Sequence, residues 1–211
     1  GTTYMASDVH RKFLFEPNPH AWDRDFSLMS RHGVNFVRTG LWTGWVRAML
    51  DPGAVDEGVL SALDAYVLSA AKHGIPVCFN LFAFIPPSYG GTNPYLDPRA
   101  LEGQKALLTL LASRYRGVPW IHWDLINEPS YAPPEGVWQN LPIGDDNERR
   151  AWGEWLRAKH GDDDGAIRDL WRDASGDLLG MPKGDEISQN FIRENRRPRK
   201  ARDFAEFSQW V

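Results

Sequence analysis

Three short apolar runs spaced about forty residues apart limit what this chain can become more than any other feature of it. They are Val34-Asn35-Phe36-Val37-Arg38, Ile75-Pro76-Val77-Cys78-Phe79-Asn80-Leu81-Phe82 and Trp120 to Ile126, each opened by a Gly or Pro signal and each of strand length. Such a spacing leaves room for a crossover helix, so successive strands are expected to run parallel. Both intervals read as helical. In the first, Val59, Leu60, Leu63, Tyr66, Val67 and Ala70 share one helical face, and Lys72-His73-Gly74 supplies the stop. In the second, Leu101, Leu108, Leu111 and Tyr115 repeat the pattern after Asp97-Pro98, an N-cap followed by Pro at the first helical position. A further helix near Trp22, Phe26 and Met29 precedes Val34 and ends at His32-Gly33. The order helix, strand, helix, strand, helix, strand predicts an α/β fold.

The third run ends in Trp123-Asp124-Leu125-Ile126-Asn127-Glu128-Pro129, where Pro stops the strand and leaves an Asn-Glu pair at its C-terminal end. In a parallel α/β barrel that rim carries the catalytic groups. Glu128 is therefore the candidate general acid/base, against the plainer reading of a rim Glu that caps a loop or pairs with Arg. Asn127 is a candidate for hydrogen bonding a sugar hydroxyl, or else for an Asx turn before Pro129. Arg38 ends its own strand. From the residues alone it is read as one half of an interior ion pair with Asp124, which has the strand parity of Glu128.

Aromatic side chains follow at the same rim. Trp42 and Trp45 come after Arg38, and Phe84, Tyr89 and Tyr95 lie in the Pro/Gly-rich stretch after the second run. Trp42 and Phe84 are read as substrate contacts through stacking on a pyranose face, and the others as packing. Ten Trp, ten Phe and six Tyr suit such stacking but suit a core equally well.

A net charge of −4 offers no broad attraction for nucleic acid or anionic lipid. The basic run Arg193 to Arg202 lacks interleaved aromatics and is read as an exposed helix start or a subunit contact. No apolar run reaches the ~20 residues that would cross a bilayer. Nucleic acid and membrane are thus not expected partners. Cys78 is the only cysteine, which excludes an internal disulfide and a multi-cysteine zinc site. Asp162-Asp163-Asp164-Gly165 lacks the ligand spacing of a calcium loop and is read as solvated. No cofactor or metal is implied. The chain opens on Gly1-Thr2-Thr3-Tyr4, with neither an initiator Met nor a signal segment, and reads as trimmed or partial; cytoplasmic and secreted locations both stay open.

Taken in order, these segments resemble the clan A glycoside hydrolases, (β/α)8-barrel retaining enzymes, and among them most the family 42 β-galactosidases and their family 5 relatives. Gly1-Thr2-Thr3-Tyr4 resembles the loop leaving the first strand, and Gly33 to Arg38 the second strand with its Arg. His73 to Val77, leading to Pro86-Pro87-Ser88-Tyr89, resembles the third strand and its rim loop, and Asp124 to Pro129 the fourth. The helical stretch from about Glu148, through Trp155 to Gly161 and on to Asp203-Phe204-Ala205-Glu206-Phe207, resembles the excursion that family 42 places after the fourth strand.

The resemblance implies an incomplete (β/α)8 barrel, with residues 1–147 as its N-terminal half and 148–211 as an excursion of the same domain. It implies a retaining β-glycosidase of β-galactosidase-like type acting on a carbohydrate substrate. Glu128 would be the acid/base, Asn127 would bind the 2-hydroxyl, and Arg38 would orient the nucleophile. That nucleophile, a Glu after the seventh strand in this clan, has no counterpart here, so the isolated chain is expected to be inactive. The alternatives are an endo-acting mannanase or cellulase, or a carbohydrate-binding module without chemistry. A half barrel exposes the edges of its first and fourth strands, so self-association or cover by the C-terminal helices is also expected.

Overall fold

The computed structural model describes residues 1–42, 45–48, 50–82, 93–127, 142–172 and 199–211, with the side chains of residues 45 and 46 outside that description. The described chain is divided between two compact units, residues 1–90 with 102–129 and residues 91–101 with 130–211.

The first unit is built on a four-stranded parallel sheet in the order β1 (Thr2–Thr3), β2 (Val37–Gly40), β3 (Val77–Phe82) and β4 (Ile121–Ile126). Its helices are α1 (Pro19–Arg31), the short α2 (Trp45–Ala48), α3 (Glu57–Lys72) and, from residue 102 onward, α4 (Pro98–Arg114). The sequence places the ends well. Asn18 caps α1 by accepting from the Ala21 N–H with Pro19 at the first helical position, and Asp56 caps α3 through the Val59 N–H. Both helices stop at a His followed by Gly, and Gly33 and Gly74 adopt φ of +78° and +66°.

Three details differ from the sequence reading. Thr2–Thr3 is itself the first strand rather than the loop leaving it, pairing with Val37 and Arg38. β2 begins at Val37, because residues 34–36 complete the turn out of α1: the Val34 N–H donates back to the Met29 carbonyl. In α4 the buried positions are Ala100, Gly103, Leu107 and Leu111, with Tyr115 just beyond, whereas Leu101 is 36% exposed. A window with Leu at 101, 107, 108, 110 and 111 fits more than one helical face, and only packing selects among them.

The core of this unit is aromatic and centred on Tyr66 of α3, which is fully buried. Its ring lies 4.9 Å from Phe13, 5.2 Å from Phe26, 5.6 Å from Tyr4 and 5.6 Å from Trp22. Strand alternation completes it: Val37, Val77, Phe79 and Leu81 are fully buried on the helix-covered face of the sheet.

The second unit contains α5 (Asp146–His160), α6 (Asp164–Trp171) and α7 (Arg199–Trp210). Asp145 and Glu148 form a variant of the capping box on α5, in which Asp145 accepts from the Glu148 N–H and the Glu148 carboxylate accepts from the Gly144 N–H. Asp163 is exposed, as expected, and also caps α6 by accepting from the N–H groups of Gly165 and Ala166. The basic run falls partly outside the described residues; Arg199 and Lys200 open α7.

Trp152, Trp171, Phe204 and Phe207 form the core of this unit, against which Tyr95 and Trp155 pack. Asp203 is completely buried among them and accepts from Lys159 Nζ at 2.8 Å, His160 Nε2 at 3.0 Å and Trp171 Nε1 at 2.7 Å. Burial alone would raise its pKa, but the Lys159 ammonium, the Trp171 indole N–H and His160 together hold it below the usual carboxylate value.

Two outcomes are expected. Gly40 faces Asn80 so closely that an added Cβ would lie 2.6 Å from the Asn80 carbonyl oxygen. Gly40→Ala should therefore lower stability by about 1–3 kcal/mol, seen as a lower urea midpoint; an unchanged midpoint would mean that β2 and β3 separate at no cost. Because the Asp203 pKa is depressed in the fold, its stabilisation is present above the ordinary carboxylate value of 3.8 and is lost as pH falls below it. Acid unfolding of the α5–α7 unit should accordingly lose part of its pH dependence in Asp203→Asn, measured by circular dichroism melts across that range.

Candidate active site

The two faces of the sheet differ in chemistry. Val37, Val77, Phe79 and Ile121 point to the helices, while strand alternation sends Arg38, Cys78, Asn80, His122 and Asp124 to the other side. The register aligns Arg38 with Cys78 and His122 in one row, and Gly40 with Asn80 and Asp124 in the next, nearer the C-terminal ends of the strands. A polar face of this kind would be hard to retain in an ordinary buried parallel sheet, whose strands carry apolar groups on both sides.

Arg38 is the hub of that face. Its Nε and Nη2 donate to Asp124 Oδ2 at 2.9 and 2.5 Å, and Nη2 also donates to Asn127 Oδ1 at 2.9 Å. Its guanidinium carbon lies 5.4 Å from the centre of the Trp42 ring. The pair with Asp124, left open by the sequence, is thus formed. The Arg38 and Asp124 side chains keep 33% and 27% of their exposure, so neither charge is fully desolvated and the pair is partly screened. Nη1 has no partner among the described residues.

Asn127 extends β4 by one rung, donating its backbone N–H to the Phe82 carbonyl at 3.4 Å. Arginine has donors only, so the amide atom facing it must be the oxygen, which turns Nδ2 away from Arg38 as the outward donor. Trp42 is 9% exposed and belongs to the core cluster, with its ring against Arg38. Glu128 and Phe84 lie outside the described residues, as do Tyr89 and the side chain of Trp45. Glu128 directly follows Asn127 in sequence.

Two residues of this face were not read from the sequence as site residues. Asn80 is fully buried with both amide atoms unpartnered among the described residues. The signal was a lone amide inside the apolar run Val77–Phe82, at the parity of Arg38 rather than of the core. Cys78 stands one row below, and burial, with the Asp124 charge, pushes its thiol above the ordinary value. Among the described residues no three His, Cys, Asp or Glu side chains gather as a metal would require.

No protein-family model matches the chain. By sequence it is similar to mannan endo-1,4-beta-mannosidase 7 of Arabidopsis thaliana, with 28% identity over 155 residues covering 60% of this chain and 34% of that protein. The chain thus spans about a third of the length of the curated relatives it matches. By structure it is similar to the exo-beta-1,4-mannosidase Op5Man5 from Opitutaceae bacterium strain TAV5, at a TM-score of 0.57 and 23% identity over 80% of this chain and 29% of that one. It is also similar to the beta-galactosidase of the psychrophilic Marinomonas ef1, at a TM-score of 0.56 and 18% identity over 98% of this chain and 29% of that one.

The ion pair should be measurable directly. A double-mutant cycle of Arg38→Gln and Asp124→Asn is expected to give a coupling of about 1–3 kcal/mol in unfolding free energy, and additive losses would mean that the contact contributes nothing to stability. The proteins it is similar to by sequence and by structure carry the names of glycosidases, and the four parallel strands with their connecting helices give this chain the fold of an incomplete α/β barrel.

Proposed function

We propose that the protein carrying this chain is a retaining β-glycosidase of β-galactosidase-like type, with Glu128 as general acid/base, Asn127 and Arg38 as substrate-site residues, and Trp42 and Phe84 as aromatic contacts. The observation that supports this most is the Arg38–Asn127 contact at the C-terminal end of the sheet, immediately before Glu128. That contact brings together an amide whose nitrogen is left free to donate and a cation whose Nη1 has no partner among the described residues, and Glu128 is the next residue in the sequence.

In this reading Glu128 donates a proton to the glycosidic oxygen as the bond breaks and then takes a proton from the water that attacks the glycosyl-enzyme. Asn127 Nδ2 donates to the sugar 2-hydroxyl, a bond that strengthens as positive charge spreads towards the ring oxygen. Arg38 Nη1 holds the nucleophilic carboxylate, which residues outside these 211 supply at about 5–5.5 Å from Glu128, the spacing of a retaining pair. The helices after β4 are then an excursion of the barrel domain, and carbohydrate is the partner.

A second reading, cleavage of β-mannosides by a mannanase-type enzyme, has the similarity to a plant mannan endo-1,4-beta-mannosidase in its favour. Both use the same chemistry on a sugar whose 2- and 4-hydroxyls point differently.

The test uses the full-length protein on aryl β-galactoside, β-glucoside and β-mannoside, with Glu128→Ala and added azide. In Glu128→Ala, turnover should fall by about 10³-fold or more on substrates with poor leaving groups, while on an activated aryl glycoside, whose leaving group departs without protonation, azide should attack the accumulated glycosyl-enzyme and restore turnover as the β-glycosyl azide forms. Turnover confined to the mannoside would favour the second reading. A folded full-length protein inert on all three would leave a carbohydrate-binding role in place of catalysis.

A further inference from the structure

We propose that Asp124 and Asn80 are positioning residues that lock Arg38 in place and, through it, decide which end of the Asn127 amide faces the sugar. The proposal rests on the glycosidase reading above and adds residues that never touch substrate.

Both Arg38 bonds to Asp124 go to the same oxygen, Oδ2, and Oδ1 receives none from the described residues. Directly across the ladder from Asp124 stands Asn80, on the same side of the sheet, fully buried and with both amide atoms unpartnered among the described residues. Neighbouring strands lie about 4.8 Å apart, which brings the Asn80 Nδ2 within one side-chain rotation or one bridging water of that spare oxygen. On the other flank Gly40 leaves no room for a side chain, so Asn80 is confined between β2 and Asp124. An amide buried without a partner is costly, and an adjacent carboxylate oxygen with unused lone pairs removes that cost.

The consequence passes along the row of bonds. Asp124 holds Arg38 through Oδ2, Asn80 stands where a rotated amide or a bridging water would hold Asp124 through Oδ1, and Arg38 presents Nη2 to Asn127 Oδ1. Were Arg38 to swing away, nothing among the described contacts would distinguish the two amide orientations, and the outward atom could be the acceptor instead of the donor. A 2-hydroxyl can meet either atom, but only the Nδ2 donor leaves the hydroxyl oxygen as acceptor in the geometry described above. Asp124 therefore acts on the transition state at second hand, through the direction of one amide.

The experiment compares the full-length wild type with Asp124→Asn and Asn80→Ala, by two readouts. Turnover is measured on an aryl β-glycoside and on its 2-deoxy analogue, and the ¹⁵N resonances of Arg38 Nε–H and of the Asn127 side-chain amide are followed in the same proteins. In Asp124→Asn, kcat should fall by about a hundredfold on the 2-hydroxy substrate and by less than roughly threefold on the 2-deoxy one, with both resonances displaced. Asn80→Ala, which removes only the support, should lose about tenfold with the same dependence on the 2-hydroxyl. Equal losses on the two substrates would reduce Asp124 to a structural role, and unmoved Arg38 and Asn127 resonances would overturn the proposal. If Asp124→Asn fails to fold, Asn80→Ala decides alone: no loss, or a loss blind to the 2-hydroxyl, overturns it. A wild type inert on every glycoside would sink the glycosidase reading, while the resonances would still decide whether Asp124 and Asn80 orient Arg38 and Asn127.

Discussion

The parallel register of β2, β3 and β4 is the constraint on which the rest of this unit depends. Side chains alternate across a strand, so a slip of one residue in any pairing would exchange the two faces. Val37, Val77 and Ile121 stand in one row and Arg38, Cys78 and His122 in the next. The first row seals the core beneath the helices, with Phe79 and Leu81 continuing it, and this burial is large enough to hold the register against a slip that would expose all of them. The polar face is then obtained without separate specification. Gly40 tightens the match, because its missing Cβ is what lets β2 approach Asn80.

Within that frame the chemistry is governed by complementarity of donors and acceptors. Arg38 brings only donors, Asp124 only acceptors, and Asn127 one of each, so the bonds can form in one sense alone. A Lys at position 38 would carry the same charge but could not span Asp124 and Asn127 with a planar fork. Trp42 joins this group through its ring, which lies against the guanidinium.

The helical unit follows a different logic. Its core joins four large aromatics to Leu156, Ile167 and two alanines, and the buried Asp203 is tolerated there because Lys159, His160 and Trp171 all donate to it. Two of these donors stand at the end of α5 and one at the end of α6, so a single buried charge ties three helices that share little else in sequence.

Much of the fold and part of the site were legible in the amino-acid sequence. Local signals are short-range and strong: Asn18-Pro19, Asp56 and Asp97-Pro98 mark helix starts, His-Gly marks two ends, and alternation marks the strands. The Asn-Glu-Pro sequence at the end of β4 pointed to the rim and to a sugar-cleaving barrel, and the proteins this chain is similar to are glycosidases. Less legible were matters that depend on distant neighbours. Leu101 and Leu107 have the same chemistry, and packing chose between them; Asp163 became a cap because a helix began beside it. Arg38 could have faced a catalytic carboxylate or Asp124, since parity allows both, and the partner 86 positions away was settled by the register of three strands. Asn80 is the clearest case: in sequence it is an amide inside an apolar run, and its meaning arises from the strand on either side. By itself, then, the sequence determined the elements, their order and the residues able to do chemistry, because capping and periodicity act within a few residues. The tertiary structure alone decided which of those residues meet, because hydrogen-bond partners on parallel strands are chosen by register, and register is a property of the whole sheet.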